Sequence, residues 1–358
     1  MNQKKKKIII CLLLTLAPLA GLLLLELVLR LLWPQPPRGF SKSLFVSNHG
    51  LNKVKPGAKG RQYSREFDVS VAGNAIGYRD IPGFNASITP NIILLGDSYC
   101  FGWGVEARDT ASARIAQTEE INVYNLGIPG DGVYTQIQRL NELNIPKCKA
   151  IILLFFDNDL SDEIRLNRST SSKPEKSTGE QQARHQPPGK SLRSLLLENH
   201  VVRLSGRIID FCGLSDVAAN MTGSRELMAK AYGEVMEAHR ESFYKSELWH
   251  QLQSQYTKLY TKAKEMADQV IVIRIVAPFV TKYPISKASD YDISLCDKEM
   301  QALARKNGVE YYSYSPADSE KLFFKFDQHL NATGHRALAD YIISKMRLNQ
   351  VNKVALPQ

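Results

Sequence analysis

Three residues that could perform acyl chemistry stand in two distant stretches of this 358-residue chain: Ser98, within Gly96-Asp97-Ser98, and Asp327 and His329, within Asp327-Gln-His329. A serine hydroxyl is a weak nucleophile near neutral pH and needs a base within hydrogen-bond reach. His329 can take the Ser98 proton and later return it to a leaving group. Asp327, two residues earlier, can hold the other imidazole nitrogen and fix the tautomer. Attack on an acyl carbon also creates an oxyanion, which needs donors aimed at it. The candidates are the backbone N–H of Ser98, that of Gly130 in Asn125-Leu-Gly127-Ile-Pro-Gly130, and the side-chain amide of Asn158. A glycine at 130 lets the backbone come close to a substrate.

Each of these has a plainer reading when taken singly. Gly-Asp-Ser is an ordinary turn, His329 can pack at a helix start, and Gly130 beside Pro129 is common loop chemistry. Their positions along the chain argue otherwise. The apolar run Ile92 to Leu95 predicts a strand buried on both faces, with Ser98 just beyond its end. A second strand at Ile121 to Tyr124 leads to Gly130, and a third at Ala150 to Phe156 leads to Asn158. A fourth is expected at Val270 to Val276 and a fifth at Val309 to Tyr312. Asp327 and His329 come after the fifth and before a helix running to about Arg347. Helices are expected between the strands, near 109 to 120, 133 to 143 and 295 to 306. Another has Leu248, Leu252, Tyr256, Leu259, Ala263 and Met266 on one face. Strands alternating with helices imply a parallel sheet covered on both sides. In such a sheet, ligands collect at the carboxyl ends of the strands. Asp97 and Asp159 are expected to brace their turns, and His335 to pack behind the site.

The remaining stretches are less regular. Arg168 to Lys190 is rich in Ser, Lys, Glu, Gln and Pro and is expected to be disordered or a mobile loop. It opens an insertion at 161–245, helical from about Leu192, which emerges beside Asn158 and is expected to wall or cover the site. Phe67, Val69 and Val71 alternate as in a short strand, and Asn74 to Asp80 reads as a structured turn.

At the N-terminus, Lys4 to Lys7 precede eighteen uncharged residues, Ile8 to Leu25, about the length that crosses a bilayer core. A cleaved signal peptide begins in the same way. Pro18, however, occupies the place where cleavage wants a small residue, and the apolar run continues past it. The reading is an uncleaved single-pass anchor over residues 1–33, with its lysines cytoplasmic and the rest of the chain outside. Residues 34–89 would then form a linker and β extension, and 90–350 the catalytic domain.

The net charge of +10 owes four units to that N-terminal cluster. No later basic block is interleaved with aromatics, so nucleic acid is not an expected partner. Gly102-x-Gly104 lacks the third glycine of a dinucleotide loop. Beyond the anchor, Cys100, Cys148, Cys212 and Cys296 have no metal-like spacing. They leave two readings open, one or two disulfides or four buried thiols.

Together, Gly96-Asp97-Ser98, Gly130, Asn158-Asp159 and Asp327-Gln-His329 resemble the four sequence blocks of the SGNH/GDSL hydrolase superfamily. The resemblance covers about 90–160 and 265–347. It implies a flavodoxin-like three-layer α/β/α fold with a five-stranded parallel sheet, and ester hydrolysis through a serine acyl-enzyme without metal or organic cofactor. By motif match, Ser98 is the nucleophile, His329 the base, Asp327 its orienting acid, and Gly130 and Asn158 oxyanion donors. Two departures stand out: Phe156 occupies the usual glycine of the third block, and one residue rather than two separates acid from base. The expected substrate is an acyl ester on an envelope glycan or lipid. One rival is an O-acyltransferase using the same triad, which needs a multi-span partner to bring the acyl group across the membrane. The other is a catalytically silent envelope scaffold.

Overall fold

The computed structural model describes residues 3–32, 35, 39–41, 43–48, 51–156, 159, 200–212, 247–277, 294–325, 327 and 329–354. Asn158, Arg168 to Lys190 and most of the 161–245 stretch lie outside these residues. The chain forms two units. In the first, α1 (Gln3–Leu32) contains the apolar stretch Leu14–Leu32, long enough to cross a membrane. A twelve-residue helix, His200–Phe211, packs on α1 within the same unit. Leu29 and Glu26 of α1 are buried there.

The second unit begins with two antiparallel hairpins. β1 (Phe45–Asn48) pairs with β2 (Leu51–Val54), and β3 (Lys59–Tyr63) pairs with β4 (Asp68–Ala72). Phe67, Val69 and Val71 turn inward, as their alternation predicts. The Asn74–Asp80 turn closes on itself: Asn74 Oδ1 accepts from the Ile76 N–H at 3.2 Å and the Tyr78 N–H at 3.0 Å. This is an Asx turn, in which a short polar side chain stands in for backbone.

The main sheet has five parallel strands: β5 (Ile92–Gly96), β6 (Val123–Asn125), β7 (Cys148–Phe155), β8 (Ala267–Ile275) and β9 (Glu310–Tyr314). Their order is β9-β8-β7-β5-β6. Pairing sets Ile92 against Val123 on one side and Ala150 on the other, and Ile271 lies against Ile152. Every residue of β5 is buried, because helices cover both faces. Ile92, Leu94, Ile152, Leu154, Ile271 and Ile273 share one core with α3 (Ala111–Glu119) and α8 (Ala332–Val354). Facing the other way are α4 (Val133–Glu142), which packs on α5 (Glu247–Met266), and α5 in turn on α6 (Ser294–Lys306). This is the parallel sheet covered on both faces that the apolar runs imply, in the flavodoxin-like three-layer form that the resemblance implies. The strand order reverses between β5 and β7, at the point where such sheets open a crevice at their carboxyl ends.

The third, fourth and fifth strands shift by one to three residues at their ends, and other details differ from expectation as well. β6 starts at Val123, because Glu120 ends α3 in the left-handed conformation (φ 53) and the Ile121 N–H bonds back to Ala116 O. On α5, Trp249 rather than Leu248 joins the buried stripe, since its spacing to Leu252 and Tyr256 is the helical one. The last helix continues beyond Arg347 to Val354.

Candidate active site

Gly96 ends β5 where a side chain cannot fit, because a Cβ there would lie 2.6 Å from the Leu154 carbonyl of the neighbouring strand. The chain turns at once into α2 (Ser98–Phe101), a single turn of helix. Asp97 caps it, with Oδ1 accepting from the Tyr99 N–H at 2.9 Å. Gly102 closes it at φ 85. A Cβ at 102 would come within 2.4 Å of Thr110 Cγ2, so only glycine ends the turn here. Ser98 is thus held at a rigid strand end and is 6% exposed.

Ser98, His329 and Asp327 come together in one hydrogen-bonded chain. Ser98 Oγ lies 2.8 Å from His329 Nε2, and His329 Nδ1 lies 2.5 Å from Asp327 Oδ1. With Nδ1–H donating to the carboxylate, Nε2 is left to accept from the serine hydroxyl. Asp97 Oδ2, 3.2 Å from Ser98 Oγ, is the more distant acceptor for that single proton. Burial works to raise the pKa of Asp327. The hydrogen bond and charge of His329 and the Trp103 N–H outweigh it, and the carboxyl is held below its ordinary value.

The loop carrying Asp327 and His329 leaves α7 (Ser319–Leu322) and is fastened on several sides. Trp103 Nε1 donates to Asp327 Oδ2 at 2.9 Å, and its ring stacks on His329, with centroids 5.0 Å apart and planes 20° apart. Tyr99 lies on the same imidazole at 4.8 Å and in turn meets Phe156 at 4.5 Å. Phe156, standing where the motif has glycine, therefore backs the aromatic that holds the histidine. The Asp327 N–H donates to Glu66 Oε2 at 2.6 Å. Phe67, next to Glu66, packs on Phe324 with centroids 5.1 Å apart.

Arg79 secures the other half of the site. It is fully buried, and its Nη1 donates to Phe101 O at 3.2 Å and to Gly102 O, while Nη2 donates to Val105 O. Burial lowers its pKa to about 10, with Glu106 opposing, so it is charged at neutral pH. That cation sits at the carbonyl end of α2, where positive charge is favoured. Gln62 Oε1 accepts from the Gly104 N–H at 2.9 Å. The Gly102–Val105 loop that carries Trp103 is thereby fixed at both ends.

Gly130 occupies the turn after β6 at φ 79. That segment runs along the end of β5, with the Ile128 N–H donating to Gly96 O at 3.3 Å. Gly127 is pressed against α2, and a Cβ there would lie 2.4 Å from the Phe101 N. Asp131, beside Gly130, forms a buried two-pronged pair with Arg139, whose Nη2 also donates to Asn52 O at 2.8 Å. Burial opposes the Arg139 charge, but Asp131 more than offsets it and raises the guanidinium pKa. Asp159 Oδ2 accepts from the Phe156 N–H at 3.4 Å, so both Asp97 and Asp159 brace their turns as expected. His335 is buried, and its Nδ1 accepts from the Ala111 N–H at 3.3 Å. Burial, with Arg79 and His329 nearby, lowers its pKa to about 3, so it stays neutral.

Of the two readings left open, the structure has free thiols without disulfides among these four, with Cys100, Cys148 and Cys296 buried and Cys212 exposed. The sequence pattern did not single out Trp103, Glu66 or Gln62. Trp103, flanked by glycines just after Ser98, carried a usable signal, whereas Glu66 and Gln62 carried none.

The model of the family described as GDSL-like lipase/acylhydrolase matches residues 92–342. No curated protein matches the chain. Among solved structures, it is similar to a member of the lipolytic G-D-S-L family from Veillonella parvula, at 14% identity and TM-score 0.39, over 71% of this chain and 96% of that one. It is also similar to an acetyl xylan esterase from Geobacillus stearothermophilus, at 11% identity and TM-score 0.37, over 72% and 94%. A salicylyl-acyltransferase from a tetracycline biosynthetic pathway matches at 15% identity and TM-score 0.39, over 75% and 56%.

Proposed function

Because this chain belongs to the GDSL-like lipase/acylhydrolase family and is an ester hydrolase, we propose that Ser98, His329 and Asp327 are its working triad. The observation that carries the reading is the unbroken path from Ser98 Oγ through His329 to Asp327, at 2.8 and 2.5 Å.

Ser98 Oγ attacks the acyl carbon while its proton passes to His329 Nε2, and the carbonyl π electrons move onto oxygen. Asp327 does not take the proton; it holds the ring and stabilises the imidazolium. The oxyanion is received by the Ser98 and Gly130 N–H groups and the Asn158 amide, each contributing about 3 kcal/mol. As the intermediate collapses, the ester C–O bond breaks and His329 protonates the departing alcohol. Water, deprotonated by the same nitrogen, then attacks the acyl-serine; the acyl carbon–Oγ bond breaks, His329 returns the proton to Ser98 Oγ, and a carboxylic acid leaves.

The substrate in this proposal is an acyl ester on an envelope glycan or lipid. Its support is α1, whose apolar stretch matches a bilayer core. Lys4 to Lys7 would keep that end in the bacterial cytoplasm and set the triad on the outer side.

The test is a fluorophosphonate probe on the full chain in mild detergent, read by intact mass beside Ser98→Ala. One adduct, absent from the variant together with turnover of p-nitrophenyl acetate, is expected. An adduct that persists in Ser98→Ala, or none in folded protein, overturns the assignment.

A further inference from the structure

The two described helices of the first unit both leave apolar side chains exposed. In α1, Glu26 is only 9% exposed, while Leu23 and Leu31 stand at 73% and 72%. In the His200–Phe211 helix, Val202, Ile208 and Ile209 are exposed, while Arg203 and Arg207 are partly covered. At helical spacing, Val202, Ser205, Ile208, Ile209 and Cys212 fall on one arc. Ser205, the polar member of that arc, donates its hydroxyl to Val201 O at 2.9 Å, so it presents no unsatisfied group. A contiguous apolar surface of this kind is costly in water and favourable in lipid.

The two helices are joined through the one acid in the apolar stretch. Glu26 Oε2 accepts from the Val201 N–H at 2.9 Å, which satisfies an orphan donor in the first turn of the second helix. Glu26 Oε1 accepts from Arg30 Nε at 2.6 Å. Nearby, the Gln35 N–H donates to His200 Nδ1 at 2.8 Å, and Arg203 Nη1 donates to Gln35 O at 3.0 Å. An acid within a membrane span marks a function or a partner, and here the partner is the second helix.

We propose that the His200–Phe211 helix lies at the boundary between the headgroups and acyl chains of a phospholipid bilayer. Its Val202, Ile208 and Ile209 side would face the acyl layer, and Glu26 of the spanning helix would hold its N-terminus. The proposal rests on the reading of α1 as a membrane anchor. The occupant follows from continuity, since this exposed apolar side adjoins a helix whose leucines are themselves bare over the length of a bilayer core. Interfacial helices bury such a face by about 5–10 Å. Arg203 and Arg207 fall on the side of the helix opposite that arc.

The test uses the full chain with Cys11→Ser and Cys212→Ser, reconstituted in vesicles of phosphatidylethanolamine and phosphatidylglycerol. An NBD label is placed singly at Val202→Cys, at Ile209→Cys, or at Lys321→Cys, a site 78% exposed; the remaining cysteines are buried. Flotation of the vesicles reports the anchor, and label emission reports the helix. The expected result is flotation of all three, with blue-shifted emission at 202 and 209 that lipids brominated in the acyl chain quench, and neither effect at 321. A chain that does not float overturns the anchor and this proposal together. A chain that floats with labels 202 and 209 emitting as in water overturns the proposal alone. Labels that are shielded but untouched by bromolipid also overturn it, and indicate a second copy of the chain instead. Glu26→Ala should lose the quenching at 209 while still floating; retained quenching overturns docking through Glu26.

Discussion

Trp103→Phe separates positioning from bulk in the proposed triad. Phenylalanine keeps an aromatic ring for His329 to stack on and removes the N–H that reaches Asp327 Oδ2 at 2.9 Å. A hydrogen bond to a charged acceptor contributes about 1.5–3 kcal/mol. The Asp327 side chain is 23% exposed, so water partly replaces the lost donor and the lower end applies. At 1.36 kcal/mol per tenfold, that predicts a fall of about tenfold in kcat. KM should hardly move, because the lost contact orients the base and does not touch substrate. The Trp103 N–H also helps hold the Asp327 pKa down, so the acid limb of the rate profile that belongs to Asp327 should move to higher pH in the variant. The assay is hydrolysis of p-nitrophenyl acetate from acid to neutral pH, with Trp103→Ala alongside as the loss of both contacts. Unchanged kcat and an unchanged acid limb in Trp103→Phe, with Asp327→Ala inactive, would show that this hydrogen bond does nothing for the base.

Three further outcomes follow from the same contacts. Glu66→Ala removes the acceptor that holds the Asp327 N–H and should lower kcat by about tenfold, at roughly 1.4 kcal/mol, whereas Glu66→Gln, which can still accept, should restore most of it. Arg79→Met leaves the Phe101, Gly102 and Val105 carbonyls without their buried donor and should lower unfolding stability by about 3 kcal/mol in a urea melt. His335 is neutral when folded, with a pKa of about 3, and gains a proton on unfolding below its ordinary 6.5. The unfolded state therefore binds more protons in that window, and stability falls on acidification from 6.5 toward 3, by up to about 1.4 kcal/mol per pH unit. In His335→Gln that slope should flatten; Asp327, whose window opens only below its ordinary 3.8, leaves the comparison at pH 5 against pH 7 undisturbed.

The parallel sheet was legible because burial on both faces demands unbroken apolar runs, and Ile92–Leu95 or Ala150–Phe156 can be little else. Ser98, Asp327 and His329 were legible because each is a chemically distinctive type at a strand end or a helix start. The supports were not. Glu66 and Asp327 are 261 residues apart in sequence, and a glutamate in a hairpin turn looks like any solvated charge until the fold brings it to its partner. The β1–β2 hairpin was missed for a related reason: Leu51-Asn-Lys-Val54 is too short and too polar to show a period. Gly102-Trp-Gly104 could be excluded as a dinucleotide loop, but its use depends on a ring and an N–H meeting a loop that is distant in sequence. Residues chosen for reactivity show themselves by type, whereas residues chosen for position show themselves only by neighbour.

That distinction bears on how this site is held. The sheet positions Ser98 directly, through Gly96 and the Asp97 cap, but it reaches neither Asp327 nor His329. Their loop follows a helix of only four residues and depends on contacts from elsewhere. Those contacts come from two directions: Trp103 and Tyr99 on the Ser98 side, and Glu66 and Phe67 in the β3–β4 hairpin. The same hairpin supplies Gln62 to Gly104, and the Asn74–Asp80 turn after it supplies Arg79 to the carbonyls after α2. The segment before the sheet therefore clasps both halves of the proposed triad at once. Residues 59–80, which read as a β extension ahead of the sheet, thus hold the segments on both sides of the Ser98–His329 contact.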